Sequence, residues 1–424
     1  MIHIGQPQIV EKPHNSRLQA KVKIGNNETE LWFEVSKEYG EYLVDDRADA
    51  FVVALVNYAM IHGFDIRSEA PLSQKLLYQL KDHYIPTLSL ADTGFRRIEL
   101  DCTATNRSLK NAGAVGCGMS CGVDALTTLY LHSEGRCTPG YEITHLTFFN
   151  VGAAMSANRP RHSMEEIYAY ENKAIRERTE YVNRERFKKV EQFARSLGFP
   201  IVRVESNIME VARIDFSLVH PQRNCAAVLA LQKLFKAYYI SSGFKPNDLR
   251  ITAGLDAAYY DVFAVPMFST DAIQFYSGGG SYSRVEKTKM LCKYAPSYTA
   301  LDVCSRDLAN CGKCGKCVRT LVTLDLLGRL DRYASVFDLK EYEKNRERNI
   351  AQILVNARTD PLAGEVADLF RKSRPNLRWH RFAVYYALLS LFMLAKRAIP
   401  RKTRSRLRIF GTRMYRALRR IDMS

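Results

Sequence analysis

The stretch GAVGCGMSCGVDALTTLYL, from Gly113 to Leu131, constrains this chain more than any other. It opens with small and apolar residues that suit a strand buried on both faces. It then bends through Ser120, Cys121, Gly122, Val123 and Asp124 and continues in helix formers. Strand, glycine-bearing turn and helix, in that order, aim several backbone N–H groups and the positive end of a helix dipole at one point. That layout suits an anion, and a phosphate-bearing ligand first among anions. The alternative is ordinary turn chemistry, because Gly and Ser commonly join strands to helices.

A second feature lies far along the chain. Cys304, Cys311, Cys314 and Cys317 form C-x6-C-x2-C-x2-C within VCSRDLANCGKCGKCVRT. Four thiolates at that density suit tetrahedral zinc, with Gly312 and Gly315 easing the tight turns. The alternatives are unligated thiols, or disulfides in an exported protein. The opening MIHIGQPQIVEK lacks the basic and apolar segments of a signal peptide, which predicts a cytoplasmic chain. In a reducing compartment such spacing favours a metal.

The two features together resemble a known family. SCGVDA (120–125) is similar to the SGGxDS pyrophosphate loop of the adenine-nucleotide alpha-hydrolase superfamily, the PP-loop ATP pyrophosphatases. The cysteine cluster resembles the zinc motif of 7-cyano-7-deazaguanine synthases and related proteins, as do SRVEKTKML (283–291) and NCGKCGKCVRT followed by a helix. The resemblance covers residues 110–330 and implies a parallel α/β sandwich that binds ATP with Mg²⁺. It implies cleavage between the α- and β-phosphates, leaving AMP on a substrate carboxylate until an amine or ammonia displaces it. In that scheme Ser120, Cys121, Gly122, Val123, Asp124 and Ala125 cradle the pyrophosphate, through backbone N–H groups and the Ser120 hydroxyl. Asp124 orients the loop or Mg²⁺, Arg284 and Lys287 neutralise phosphate or carboxylate, and the four cysteines hold structural Zn²⁺. Two residues depart from the pattern: Cys121 stands where the family has Gly, and Ala125 where it has Ser or Thr. The second departure removes one hydroxyl contact. Two other readings therefore stand beside the adenylating enzyme: an RNA-binding relative acting in tRNA modification, and a nucleotide-binding protein without turnover.

Charge separates the chain into parts. Residues 371–424 hold 16 Lys or Arg against one acid, Asp422, a balance of +15 that leaves only +2 of the formal +17 to everything before them. The expected organisation is an α+β N-terminal region over 1–110 and a PP-loop domain with its zinc element (304–317) over 111–330. A helical extension follows over 331–370, and a basic amphipathic tail over 371–424. Within the tail, the predominantly apolar run 382–395 has 14 residues, short of the roughly 20 that span a bilayer. RKTRSRLRIFGTRMYRALRR then intersperses cations with Leu, Ile, Phe, Met and Tyr. The pattern suits an anionic membrane surface, an RNA, or a helix packed on the body with a solvated basic face.

The remaining elements follow from local pattern. KVKIG and ETELWFEV predict a hairpin turned at Gly25-Asn26-Asn27. Residues 48–63 predict a helix ended by glycine, PLSQKLLYQLKDHY a second helix with Pro71 near its start, and RRIELDCTA a strand. EITHLTFFNV (142–151) predicts the second buried strand, with His145 as a core histidine, and 164–197 a long charged helix. PIVRVES predicts a strand that brings Glu205, Ser206 and Asn207, with Asn150 beside them, to the crevice end of the sheet. Residues 216–243 read as one helix opened by His220, Pro221 and Arg223, which either face an anion or simply begin the helix. DLRITAGLDAAYYDVF (248–263) predicts a strand that meets Gly254, with Asp256 and Asp261 beyond. Gly278, Gly279 and Gly280 fit a close approach to ligand or a flexible turn, and Arg284 and Lys287 share a helix face.

Overall fold

Short apolar segments begin the chain, β1 (Ile2–Ile4) and β2 (Gln8–Glu11), followed by two long alternating strands, β3 (Asn15–Ile24) and β4 (Asn27–Ser36). The alternation puts Leu18, Ala20, Val22, Leu31, Phe33 and Val35 on the buried face. The hairpin turns at Gly25, whose φ of 62° is the left-handed conformation that glycine adopts without strain. Helix α1 (Asp49–His62) is apolar almost all round, as a helix enclosed in a core must be, and Gly63 ends it at φ 73°. β5 (Ile66–Ser68) and β6 (Leu100–Asp101) complete this region's share of the main sheet.

The second set of strands is β7 (Ala114–Gly118), β8 (His145–Asn150), β9 (Ile201–Ser206), β10 (Phe235–Ser241) and β11 (Gln274–Gly278). All five run parallel, in the order β11-β10-β7-β8-β9. The chain steps from β7 outward to β9 on one side, then returns past β7 to build the other. That reversal makes the carboxyl ends of β7 and β10 the switch point of the sheet. The connecting helices are α2 (Val123–Leu131), α3 (Lys173–Ser196) and α4 (His220–Leu229), and α4 packs against α1.

The sheet does not end at β9. β4 pairs antiparallel with β9, the path continues through β3, β1, β5 and β6, and β2 pairs with β3 off that path, giving eleven strands among the described residues. The fold is thus mixed α/β with a mostly parallel central sheet. The structure, a computed structural model, describes residues 1–153, 173–373 and 375–398. It divides between Tyr282 and Ser283 into two compact units, so the segment 111–330 expected as one domain is shared between them.

The second unit is helical. It contains α5 (Arg284–Leu291), α6 (Gly315–Leu326), α7 (Leu339–Lys344), α8 (Arg346–Asn356), α9 (Pro361–Ser373) and α10 (Trp379–Ala398). Two ion pairs fasten it. Arg346 Nε and the Tyr342 hydroxyl each donate to Asp325 at 2.8 Å, and Arg378 donates twice to the buried Glu347, at 2.6 and 2.8 Å. Burial pushes the Glu347 carboxyl up, but Arg378 outweighs it and holds the group below its usual range.

Three expectations need correction. The helix expected over 216–243 stops at Leu229, and FKAYYIS is the inner strand β10. A strand buried on both faces carries no alternation, so its apolar run looks like a continuing helix. The strand expected near Gly254 is absent: residues 249–252 have no regular structure, and 253–254 form a turn. Pro71 precedes a short strand rather than opening a helix; the helix starts at Gln74 and widens to π geometry over Gln79–Tyr84. Residues 164–172 of the long charged helix lie outside the described residues.

Gly116 decides how closely β7 and β10 approach. A Cβ there would stand 2.6 Å from the Tyr238 ring and 2.7 Å from that of Phe235, both buried aromatics with little room to yield. Gly116→Ala is therefore expected to lower stability by about 1–3 kcal/mol, read as a drop in the urea midpoint. Gly254→Ala, where a Cβ meets open space, should leave the midpoint nearly unchanged.

Candidate functional site

The chain leaves β7 at the switch point and bends at once. Met119 N donates to Thr147 O at 2.8 Å, holding the first residue of the bend to β8. Ser120 is exposed, and its hydroxyl accepts from Gly122 N at 3.3 Å. Cys121 has φ 57°, the one left-handed non-glycine among the described residues. Glycine takes this conformation free of strain, whereas a cysteine does not. Gly122 is the N-cap of α2, whose first internal hydrogen bond runs from Leu126 N to Gly122 O at 3.0 Å. The N–H groups at such a helix start point outward along the axis. The side chains of Cys121, Val123 and Ala125 are buried, whereas Gly122 and Asp124 are half-buried. What the bend could offer an anion is therefore its backbone N–H groups and the Ser120 hydroxyl, whereas the Asp124 carboxylate would repel one unless a cation stood between them.

Neighbouring strand ends close on this bend. A Cβ on Gly278 would stand 2.5 Å from Thr128 Cγ2, so the triple glycine's first member lets β11 lie against α2. Gly279 takes φ 69°, and Ser242 N donates to Gly278 O at 2.9 Å. Gly278 thus serves close packing, and Gly279 a left-handed turn. Ser242 Oγ in turn donates to Asp261 Oδ1 at 2.8 Å.

The other residues expected at the crevice are engaged locally. Asn150 Nδ2 donates to Glu205 Oε2 at 2.5 Å, and Arg203 pairs with the same carboxylate. Asn207 stitches β9 to β4, accepting from Trp32 N at 3.0 Å and donating to Glu30 O at 2.7 Å. Ser206 Oγ accepts from Ile208 N. Arg223 is buried and donates to Ala212 O at 2.6 Å and more weakly to Val151 O, tying loops together. Its desolvation lowers the guanidinium to about 9. His220 Nε2 lies 3.0 Å from Asp256 Oδ1. His145 starts β8, at the end of the sheet away from the bend, with its ring edge-on to Phe235. A cavity of about 320 Å³ beside Lys236 and Asp271 likewise lies at the amino ends of β10 and β11.

In the second unit, the spacing of the four cysteines folds as a metal cluster requires. The Sγ atoms of Cys304, Cys311, Cys314 and Cys317 all lie within 4.8 Å of one another, with Cys311 and Cys317 at 4.0 Å. A tetrahedral ion with sulfur at about 2.3 Å needs sulfurs about 3.8 Å apart, so the four can hold a metal ion such as zinc. Backbone N–H groups already face the sulfurs: Arg306 and Asp307 donate to Cys304, Cys314 to Cys311, and Cys317 to Cys314, at 3.3–3.4 Å. The hydrogen bond from Cys317 pulls the Cys314 thiol down to about 4 and drives Cys317 the other way. Only a cation lets all four be thiolates together. Gly312 makes its turn at φ 66°, but Gly315 is the first residue of α6 with no such need.

Asn310, which sequence reasoning passed over, locks the cluster. It accepts from Val303 N at 2.9 Å and donates to Leu301 O and Val336 O, bracing both sides of the loop. Its only signal was a polar side chain immediately before Cys311. Arg284 and Lys287 do share α5, which begins with a Ser283–Glu286 capping box; Lys287 is buried, and Arg284 N donates to Glu365 at 2.7 Å.

Fold and site thus define a mixed α/β protein with a left-handed bend at the switch point of its sheet and a four-cysteine cluster in a helical unit. No protein-family model, curated protein or solved structure matches the chain.

Two measurements follow. At Cys121, the glycine variant should be more stable than the alanine variant by about 1 kcal/mol, the reverse of the usual order, as read by thermal melting. Elemental analysis should find one divalent ion per chain that is lost in Cys314→Ser and released on acidification, because protonation of the thiolates competes with the metal.

Proposed function

We propose that the protein activates a carboxylate with ATP, releasing pyrophosphate, in the manner of the 7-cyano-7-deazaguanine synthases its sequence resembles. The observation that carries this reading is the left-handed turn at Cys121, set at the carboxyl end of the middle strand of five parallel strands. It is a conformation that glycine takes without strain, at the position where the SGGxDS pattern carries glycine, and it is kept here by a residue other than glycine. Strain of this kind, costing about 1–3 kcal/mol, persists where the surrounding structure enforces it.

In the proposed reaction a carboxylate oxygen attacks the α-phosphorus of ATP and the bond to the β-phosphate oxygen breaks. Pyrophosphate leaves with that oxygen's electron pair, and AMP remains on the acyl carbon. An amine or ammonia then attacks that carbon, losing a proton as AMP departs. The Ser120 hydroxyl and the outward N–H groups of the bend stabilise the charge gathering on pyrophosphate, fixed donors that need no reorganisation. Asp124 is the loop carboxylate that would face Mg²⁺, which would shield the triphosphate. The cysteine cluster, with zinc as the ion its all-sulfur donor set favours, holds the loop before α6 in shape and takes no part in the chemistry. A second reading, ATP binding without turnover, draws on Ala125, whose buried methyl supplies no hydroxyl to the phosphates.

Incubation with ATP, Mg²⁺ and a 7-deazaguanine carboxylate should yield AMP and pyrophosphate in equal amounts. Ser120→Ala should lower kcat/KM by about tenfold and Asp124→Asn by about a hundredfold or more. Saturable ATP binding with no AMP across a panel of carboxylates would replace the enzyme reading with the second one.

A further inference from the structure

We propose that α10 and the basic segment beyond it dock on an anionic phospholipid surface, independently of what the loop of the first unit does. One side of α10 is fixed: Tyr385 is buried with Ala351 of α8, and Phe382, Tyr386, Leu388 and Leu389 pack around them. The other side carries a bare apolar stripe. Val384, Ala387, Leu391 and Leu394 recur at helical spacing and are all exposed, Leu391 by 63 % and Leu394 by 57 %. Trp379, at the start of the helix, is 59 % exposed. No helix among the described residues is long and apolar enough to cross a membrane, so the stripe suits a helix lying along a surface.

Charge selects the occupant. Residues 401–420 contain nine Lys or Arg and no acid, within a segment 371–424 whose balance is +15. That density of positive charge attracts the headgroups of acidic phospholipids, and adjacent aliphatic side chains enter the boundary between headgroup and acyl chain. A second copy of the chain would place two such basic segments side by side and meet like-charge repulsion. A nucleic acid would satisfy the cations but leave Leu391 and Leu394 in water, because bases stack on aromatic faces and have no use for an aliphatic stripe.

Flotation of the full chain with phosphatidylcholine vesicles, with and without about 30 % phosphatidylglycerol, tests this. Partitioning should rise at least about tenfold with the anionic lipid and fall as salt is raised. Leu391→Asp combined with Leu394→Asp should lower it by about tenfold, with melting unchanged because both side chains are exposed. Changing Arg413, Arg416, Arg419 and Arg420 to Gln should lower it by at least a similar factor. Equal partitioning into neutral vesicles, absence of flotation, or partitioning indifferent to the leucine pair would each overturn the proposal. So would a lipid-free dimer that the leucine substitutions dissociate, or retention on RNA without any on vesicles.

Discussion

The seating of β7 against β10 governs the first unit. Gly116 contributes no side chain, and the Tyr238 ring occupies the space a Cβ would need. From there the Tyr238 hydroxyl reaches Thr147 Oγ1 on β8 at 2.5 Å. One aromatic residue thereby keys three adjacent parallel strands. This matters because strands buried on both faces lack the alternation that otherwise sets register. Once the three are keyed, the carboxyl end of β7 is fixed relative to Ser241 at the end of β10 and Ser242 just beyond it, and Gly278 lets β11 lie against α2. The left-handed turn at Cys121 is held from several directions, which is the condition under which local strain survives.

The N-terminal strands solve a separate problem. A five-stranded parallel sheet would leave the edge of β9 open to pairing with another chain. Here β4 covers that edge in antiparallel register, and Asn207 adds side-chain bonds from the loop after β9 to Trp32 and Glu30. Asn207 thus belongs to the seam between the two halves of the sheet, although its position just past a strand end is where ligand-binding residues gather. Position narrows the candidates; the hydrogen-bond partners decide among them.

What could be read from sequence tracks how local the signal was. The hairpin at Gly25, the glycine end of α1, the strand–bend–helix at 114–131 and the cysteine loop are specified by residues within one turn or one spacing of each other. β10 was not legible, because its apolar run lacks a period of two and follows a helix with only a few residues between. The joining of β4 to β9 was not legible either, since it pairs residues about 170 positions apart and nothing in either strand marks the partner. Asn310 and Asn207 were hidden for the same reason: their importance lies in which backbone groups they reach.

The uneven charge bears on how a phosphate ligand could be recognised at all. With +15 gathered in residues 371–424, the body of the protein is close to neutral, and it generates little field to draw a polyanion from a distance. Under the adenylation reading, the triphosphate must then be held at short range by N–H dipoles, a hydroxyl and a divalent cation rather than by a lining of lysines. Dipoles fixed by the fold suit that task, because they favour charge only where it develops and do not bind every passing anion. That is why a buried, strained cysteine in the bend is informative: it marks a backbone course the fold maintains without glycine's help, and in a neutral body the backbone is the part of the loop that an anion would meet.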